Sequence, residues 1–228
     1  MNCKTAVILA AGTGTRMKSD KPKVLHEVCG RPMASHVISQ AKRAGAEHIV
    51  AVVGHGAELV KEGLAEEDVT FALQKEQLGT GHAVMQAADY ISDEGDVFVL
   101  CGDTPLITAE TLSAFSEYHT ESGNAVTVLT AIFDDPFGYG RIIRAEDGSL
   151  VKIVEQKDAD EAEKAVKEVN AGMYCVDASF LKKNLKNLSN QNAQGEYYIT
   201  DIIGMAVESG AGAGAFAVSD PDEIMGVN

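Results

Sequence analysis

The chain has 228 residues, 45% of them apolar and 23% charged, enough for one large domain or two small ones with a core that folds unaided. Disorder, a collagen-like repeat and a disulfide scaffold are excluded by that composition. The net charge of −15 argues against a nucleic-acid or anionic-membrane partner, because both need a basic footprint.

No apolar run approaches the length of a membrane span, and no cleavage signature follows the early run Thr5 to Ala11. Cys3, Cys29, Cys101 and Cys175 form no C-x-x-C pair, so reduced, inert thiols in a cytoplasm are expected. Charge is unevenly spread. Residues 1 to 43 carry eight Lys/Arg against Asp20 and Glu27, a local excess that suits a small anion or a solvated basic face.

Short β-branched runs recur along the chain: Ala6 to Ala10, His48 to Val53, Val69 to Leu73, Asp96 to Cys101 and Ala125 to Ile132. Several are almost continuously apolar, as strands covered on both faces are. Between them, Met33, Val37, Ile38, Ala41 and Ala44 share one helix face, opened by Pro32 and closed by Gly45. Thr108 can cap another helix through Leu112, Phe115 and Tyr118. Alternating strands and helices predict an α/β fold with a doubly wound, mainly parallel sheet.

Beyond about residue 133 the pattern changes. Gly140 to Ala145 and Leu150 to Glu155 flank Asp147-Gly148, a hairpin signal that predicts a small antiparallel β lobe. Asp158 to Glu168 is expected to be a surface helix, Asn170 to Val176 a strand, and the Gly212 to Val218 region a weak last strand. With no internal repeat and no low-complexity linker, residues 1–228 read as one domain with two lobes.

The first strand runs into Gly12-Thr13-Gly14-Thr15-Arg16. At the carboxyl end of a parallel strand, glycines let backbone N–H groups approach a phosphate, so this loop is the leading anion site. A Walker A loop is ruled out by the lack of Gly-Lys-Ser/Thr, and a dinucleotide fingerprint by Met17 at its third glycine. Arg16 and Lys23 follow on a loop stiffened by Pro22, a fork and a point charge suited to a polyphosphate. No H-E-x-x-H or G-x-S-x-G pattern is present.

Leu9-Ala10-Ala11-Gly12-Thr13-Gly14-Thr15-Arg16-Met17, followed by Pro22-Lys23-Val24-Leu25-His26, resembles the signature of the sugar-1-phosphate nucleotidyltransferases, or pyrophosphorylases. The resemblance continues through Gln77 to Ala83, Gly102-Asp103-Thr104-Pro105-Leu106, Gly138 to Ile142, Ile153-Val154-Glu155, Asn170-Ala171-Gly172 and Asn192 to Asp201. The last block is similar to one branch, the N-acetylglucosamine-1-phosphate uridyltransferases. In that branch a left-handed β-helix acetyltransferase half follows, and its hexapeptide repeats are not found here. The chain departs from the family with Cys101 where relatives often have Tyr, and with Ala171 where Thr is commoner.

The resemblance implies a Rossmann-like nucleotidyltransferase fold and a transfer of UMP from UTP to N-acetylglucosamine 1-phosphate, giving UDP-N-acetylglucosamine and pyrophosphate. By the same resemblance the product serves bacterial peptidoglycan and lipopolysaccharide synthesis. Leu9, Ala10, Ala11, Gly12, Gln74, Gly79 and Thr80 would hold the uridine. Gly140, Glu155 and Asn170 would hold the sugar, with Cys101 and Gly102 beside the substrate. Arg16 and Lys23 would be catalytic, and Asp103 and Asn228 would hold Mg²⁺. A monomer or weak dimer is expected, because trimer contacts in the family belong to the other half. The rivals are a non-catalytic nucleotide-sugar-binding module and a pyrophosphorylase for another sugar phosphate.

Overall fold

The computed structural model describes residues 3–14 and 17–227. Arg16 and Asn228 lie outside the described residues. Nine strands form one sheet: β1 (Cys3–Ala10), β4 (His48–Val53), β5 (Thr70–Leu73), β6 (Asp96–Cys101), β7 (Val126–Ile132), β8 (Arg141–Arg144), β9 (Leu150–Val154), β10 (Glu168–Asp177) and β11 (Ala213–Ala217). A separate two-stranded ribbon is made by β2 (Glu27–Val28) and β3 (Arg31–Pro32). Its turn residues, Cys29 and Gly30, have φ of 51° and 78°, the left-handed pair that a tight hairpin requires.

The main path runs β11-β7-β10-β6-β1-β4-β5. β1 pairs in parallel with β4 and β6, β4 with β5, and β7 with β11. β10 is the exception, antiparallel to both β6 and β7. The antiparallel pair β8–β9 joins the sheet through β10, so the predicted hairpin is an extension of the main sheet.

Alternate residues of these strands feed two apolar cores, one on each face. The first packs against α1 (Met33–Arg43), α2 (Ala57–Gly63) and α4 (Ala109–Ser122), with Val37, Ile38, Val60, Leu112 and Phe115 buried. The second packs against α3 (Thr80–Ala87), α6 (Ala178–Leu185) and α7 (Asp201–Ser209), through Val84, Leu181 and Ile203. Burial on both faces is why β1, β4 and β6 read as continuous apolar runs. Thr108 caps α4 by accepting from Thr111 N, and Gly123 at φ 61° ends it.

The helix expected over Asp158 to Glu168 is cut to one turn, α5 (Glu161–Lys164). Asp160 closes a capping box with Glu163, but Glu168 and Val169 pair with Ile132 and Ala131 of β7. Sheet pairing overrides the helical propensity of this charged stretch.

Candidate active site

The carboxyl ends of β1, β4, β5 and β6 lie along one edge of the sheet, and the chain after β1, β5 and β6 turns into a common cleft. The cleft has a volume of about 370 Å³. After β1 comes the glycine loop, after β5 Gln74, and after β6 Gly102 and Asp103. Leu9, Ala11, Gly12, Lys23, Gln74, Gly79, Thr80, Cys101 and Asp103 all line it. Ala10 is buried in the end of β1.

Close backbone packing holds this edge together. Gly102 donates its N–H to Leu9 O at 3.0 Å, and a Cβ at Gly102 would stand 2.9 Å from that oxygen. Gly14, at φ +57°, brings the loop over Lys23, where a Cβ would fall 2.8 Å from Lys23 Cβ. The lysine is therefore pressed under the loop. Its Nζ donates to Asp103 Oδ2 at 2.5 Å, with the two side chains 13% and 28% exposed. A carboxylate thus fixes an ammonium at the cleft wall, beside backbone that glycine leaves open.

Gln74 is 3% exposed and its Nε2 donates to Gly79 O at 3.1 Å, with His82 Nδ1 also at 3.1 Å. Gly79 has φ +109°, and a Cβ there would lie 2.6 Å from Tyr197 O. This close approach lets Tyr197 N donate to Leu78 O at 2.8 Å and Gly81 N donate to Tyr197 O at 2.7 Å. Thr80 has a structural duty as well, since its Oγ1 accepts from Ile199 N at 3.1 Å. Thr13, Val24, Gln77, Ala83 and Glu196 also line the cleft. They were not singled out as site residues, although all five sit inside the motif blocks.

A second group stands on the antiparallel side. Gly140, Glu155 and Asn170 come together: a Cβ at Gly140 would meet Glu155 Oε1 at 3.3 Å and Asn170 Cβ at 3.4 Å. Asn170 Oδ1 accepts from Gly172 N at 2.8 Å, and its Nδ2 donates to Tyr174 Oη at 2.9 Å. Cys101 Sγ donates to Gly172 O at 3.3 Å, so this group adjoins the β6 end of the first. Burial pushes the Glu155 carboxyl above the usual carboxylate range, and the nearby Asp158, Asp201 and Glu196 push it further. Asp201 is raised too, by burial and then by Asp158. The Cys101 thiol is raised by burial first and by Asp103 second, so it stays protonated.

An open, mostly parallel sheet whose carboxyl edge gathers a glycine loop, a lysine and an aspartate around one cleft is the frame of a nucleoside-triphosphate transferase. The chain belongs to the MobA-like NTP transferase family, whose domain profile matches residues 6–168. Among individual proteins it is 56% identical over 223 residues to the bifunctional protein GlmU of Caldanaerobacter subterraneus subsp. tengcongensis, a match covering 98% of this chain and 48% of that protein. It is 54% identical over 228 residues to the bifunctional protein GlmU of Clostridioides difficile, covering 100% of this chain and 49% of that one. The chain thus spans about half the length of the curated relatives it matches. In fold it is similar to a putative glucose-1-phosphate thymidylyltransferase from Bacillus anthracis, with a TM-score of 0.76 at 23% identity, covering 94% of this chain and 87% of that one.

Proposed function

We propose that the chain is a pyrophosphorylase that transfers UMP from UTP to N-acetylglucosamine 1-phosphate, releasing pyrophosphate and forming UDP-N-acetylglucosamine for bacterial envelope synthesis. The observation that carries this reading is the Lys23–Asp103 pair in the same cleft as Gly12 and the buried Gln74 amide. Likeness to the GlmU proteins over the whole chain supports it.

The sugar phosphate is itself the nucleophile. One of its phosphate oxygens forms a bond to the α-phosphorus of UTP in line with the bond that breaks, and pyrophosphate leaves with that electron pair. No covalent enzyme intermediate is required, so the protein contributes positioning and charge stabilisation. Lys23, with Arg16, balances the negative charge on the triphosphate and the leaving pyrophosphate. Uracil presents one N–H and two carbonyls, which the Gln74 amide and the backbone near Gly12 and Gly79 can read. Glu155 and Asn170 offer acceptor and amide groups to sugar hydroxyls, with Gly140 leaving room between them.

The residues present suit magnesium. Asp103 provides an oxygen at the cleft wall, and the chain end lies against it: Val227 N donates to Asp103 O at 3.1 Å, and a Cβ on Gly226 would lie 3.5 Å from Asp103 Oδ2. With Asn228, which the family resemblance pairs with it, Asp103 would form an oxygen donor set of the kind Mg²⁺ prefers. When bound, magnesium would neutralise phosphate charge as a Lewis acid.

We place the reaction in the cytoplasm and the chain, by itself, as a monomer or weak dimer of one two-lobed domain. Among the described residues, no helix is long and apolar enough to cross a membrane. The test is a pyrophosphate-release assay over a panel of nucleotides and sugar phosphates. UTP with N-acetylglucosamine 1-phosphate and Mg²⁺ should be the productive pair, and acetyl-CoA should not be consumed with glucosamine 1-phosphate. Tight binding of both substrates without turnover at saturating magnesium would make the chain a binding module instead.

A further inference from the structure

The end of the sheet remote from the cleft holds a second polar cluster that the proposed reaction does not use. Cys3 opens β1, Asp96 opens β6, and Cys175 lies near the end of antiparallel β10. Pairing of β6 with β1 and with β10 brings all three to one edge. Cys3 and Cys175 are 1% and 0% exposed, and Asp96 is 9% exposed. The two sulfurs are 2.9 Å apart, and both lie with an Asp96 carboxylate oxygen inside a span of 4.8 Å. From α4, His119 places Nε2 3.5 Å from Asp96 Oδ1, while its Nδ1 stands 2.7 Å from Thr127 Oγ1. One turn earlier on the same helix face, the buried Ser116 hydroxyl has no hydrogen-bond partner among the described residues.

The geometry points to a site for one thiophilic divalent cation, zinc by preference, held by Cys3 Sγ, Cys175 Sγ and an Asp96 carboxylate oxygen, with His119 as the positioning residue for that carboxylate. Two thiolates with a carboxylate select a borderline-soft ion over magnesium. With Zn–S bonds of about 2.3 Å, tetrahedral sulfurs stand roughly 3.8 Å apart, so side-chain rotation of about 1 Å would open the pair enough. A carboxylate ligand held from behind by a histidine that is itself anchored by Thr127 is the outer support such centres use.

A disulfide is the competing use of two adjacent thiols, and the sheet disfavours it. β6 stands between β1 and β10, which separates the two cysteine backbones by two strand spacings, on the order of 9 Å. A disulfide tolerates about 7 Å between Cα atoms, so bonding would require the strands to move. A bridging cation needs no such displacement. As it enters, the two thiols lose their protons to water and two metal–sulfur bonds replace the sulfur–sulfur contact. The inference stands independently of the transfer reaction proposed above.

The test is titration of the metal-free 228-residue chain with Co²⁺ in the absence of nucleotide. A thiolate-to-cobalt charge-transfer band should grow to one ion per chain and be displaced by Zn²⁺. Cys3→Ala and Cys175→Ala should each abolish it, whereas Cys101→Ala and Asp103→Asn should leave it intact. His119→Gln should retain the band but weaken affinity roughly ten- to hundredfold. No thiolate band in the wild-type chain at saturating cobalt would overturn the proposal without recourse to any variant. So would a band that survives both cysteine substitutions, or a Cys3–Cys175 disulfide peptide from the freshly purified protein.

Discussion

On the side of the candidate site built by β1, β5 and β6, the cleft presents glycine backbone, the buried Gln74 amide and the Lys23–Asp103 pair. On the side carried by β8, β9 and β10, outside the residues that line the cleft, stand Glu155 and Asn170, with Asp158, Asp201 and Glu196 the acidic neighbours of the first. The first side is suited to phosphate, whose charge must be balanced. The second would repel phosphate but suits neutral hydroxyls, which donate to carboxylates at little electrostatic cost. On the function proposed above, this contrast in electrostatics would fix the direction in which a sugar phosphate enters. Its ring would face the carboxylates and its phosphate the lysine.

The sharpest way to break this comparison is on the phosphate side. Lys23→Ala and Asp103→Asn should each lower kcat by roughly a hundredfold or more, the scale of losing one preorganised electrostatic group. Asp103→Asn should also raise the magnesium needed for half-maximal rate, while Asn228→Ala should change mainly that requirement. Near-normal turnover in both Lys23→Ala and Asp103→Asn would show that the pair is only structural. Arg16→Ala should cause a loss of similar order, and Arg16→Lys should restore little of it, because an ammonium cannot reproduce a guanidinium fork. Full recovery by the lysine would assign Arg16 a simple charge role.

A smaller and more selective effect is expected at the Glu155 group. Glu155→Gln should raise KM for the sugar phosphate roughly tenfold, the scale of one hydrogen bond to a charged group, with KM for UTP unchanged. Equal shifts in both constants would erase the distinction between the two sides.

The least drastic test is pH. The folded-state pKa of Glu155 and Asp201 lies above the ordinary range, so the folded protein holds these protons to higher pH than the unfolded chain does. Their contribution is fully present below the ordinary carboxylate range and is lost as pH rises through the raised values. Glu155→Gln should therefore stabilise the protein more at neutral pH than in acid, as read by denaturant midpoints. A pH-independent difference would mean that Glu155 is solvated in the folded state.

Much of the phosphate side was legible because it is local. The glycine loop and Asp103 each follow a strand whose apolar run marks it plainly, and strand direction alone places them on one edge, whereas Lys23, in the turn Lys23–Leu25 well beyond β1, was legible only from its motif. The sugar side depends on pairings between distant segments. Nothing in the Asp158 to Glu168 composition tells that Glu168 will be taken by β7, or that β10 will insert antiparallel between β6 and β7. Thr80 shows a related limit. It lines the cleft, but the hydroxyl's bond to Ile199 N joins residues far apart in sequence, and no local pattern encodes it. The Cys29-Gly30 turn could have been suspected from its glycine, yet two-residue strands leave almost no periodicity to read.

The register of β10 against β7 shifts between Asn170 and Tyr174, where Gly172 takes φ +72°. Below the shift the strand pairs with β7 and touches β8; above it, the strand pairs with β7 and β6. Side chains alternate faces along a strand, so the residue count within this irregular stretch sets the phase of one half relative to the other. Deleting any one of Ala171, Gly172 or Met173 would leave two choices. Either Asn170 turns away from Gly140 and Glu155, or Tyr174 and Cys175 exchange the two apolar cores they now fill. Substitutions here are a matter of size and backbone freedom, but a change in length is a change in parity.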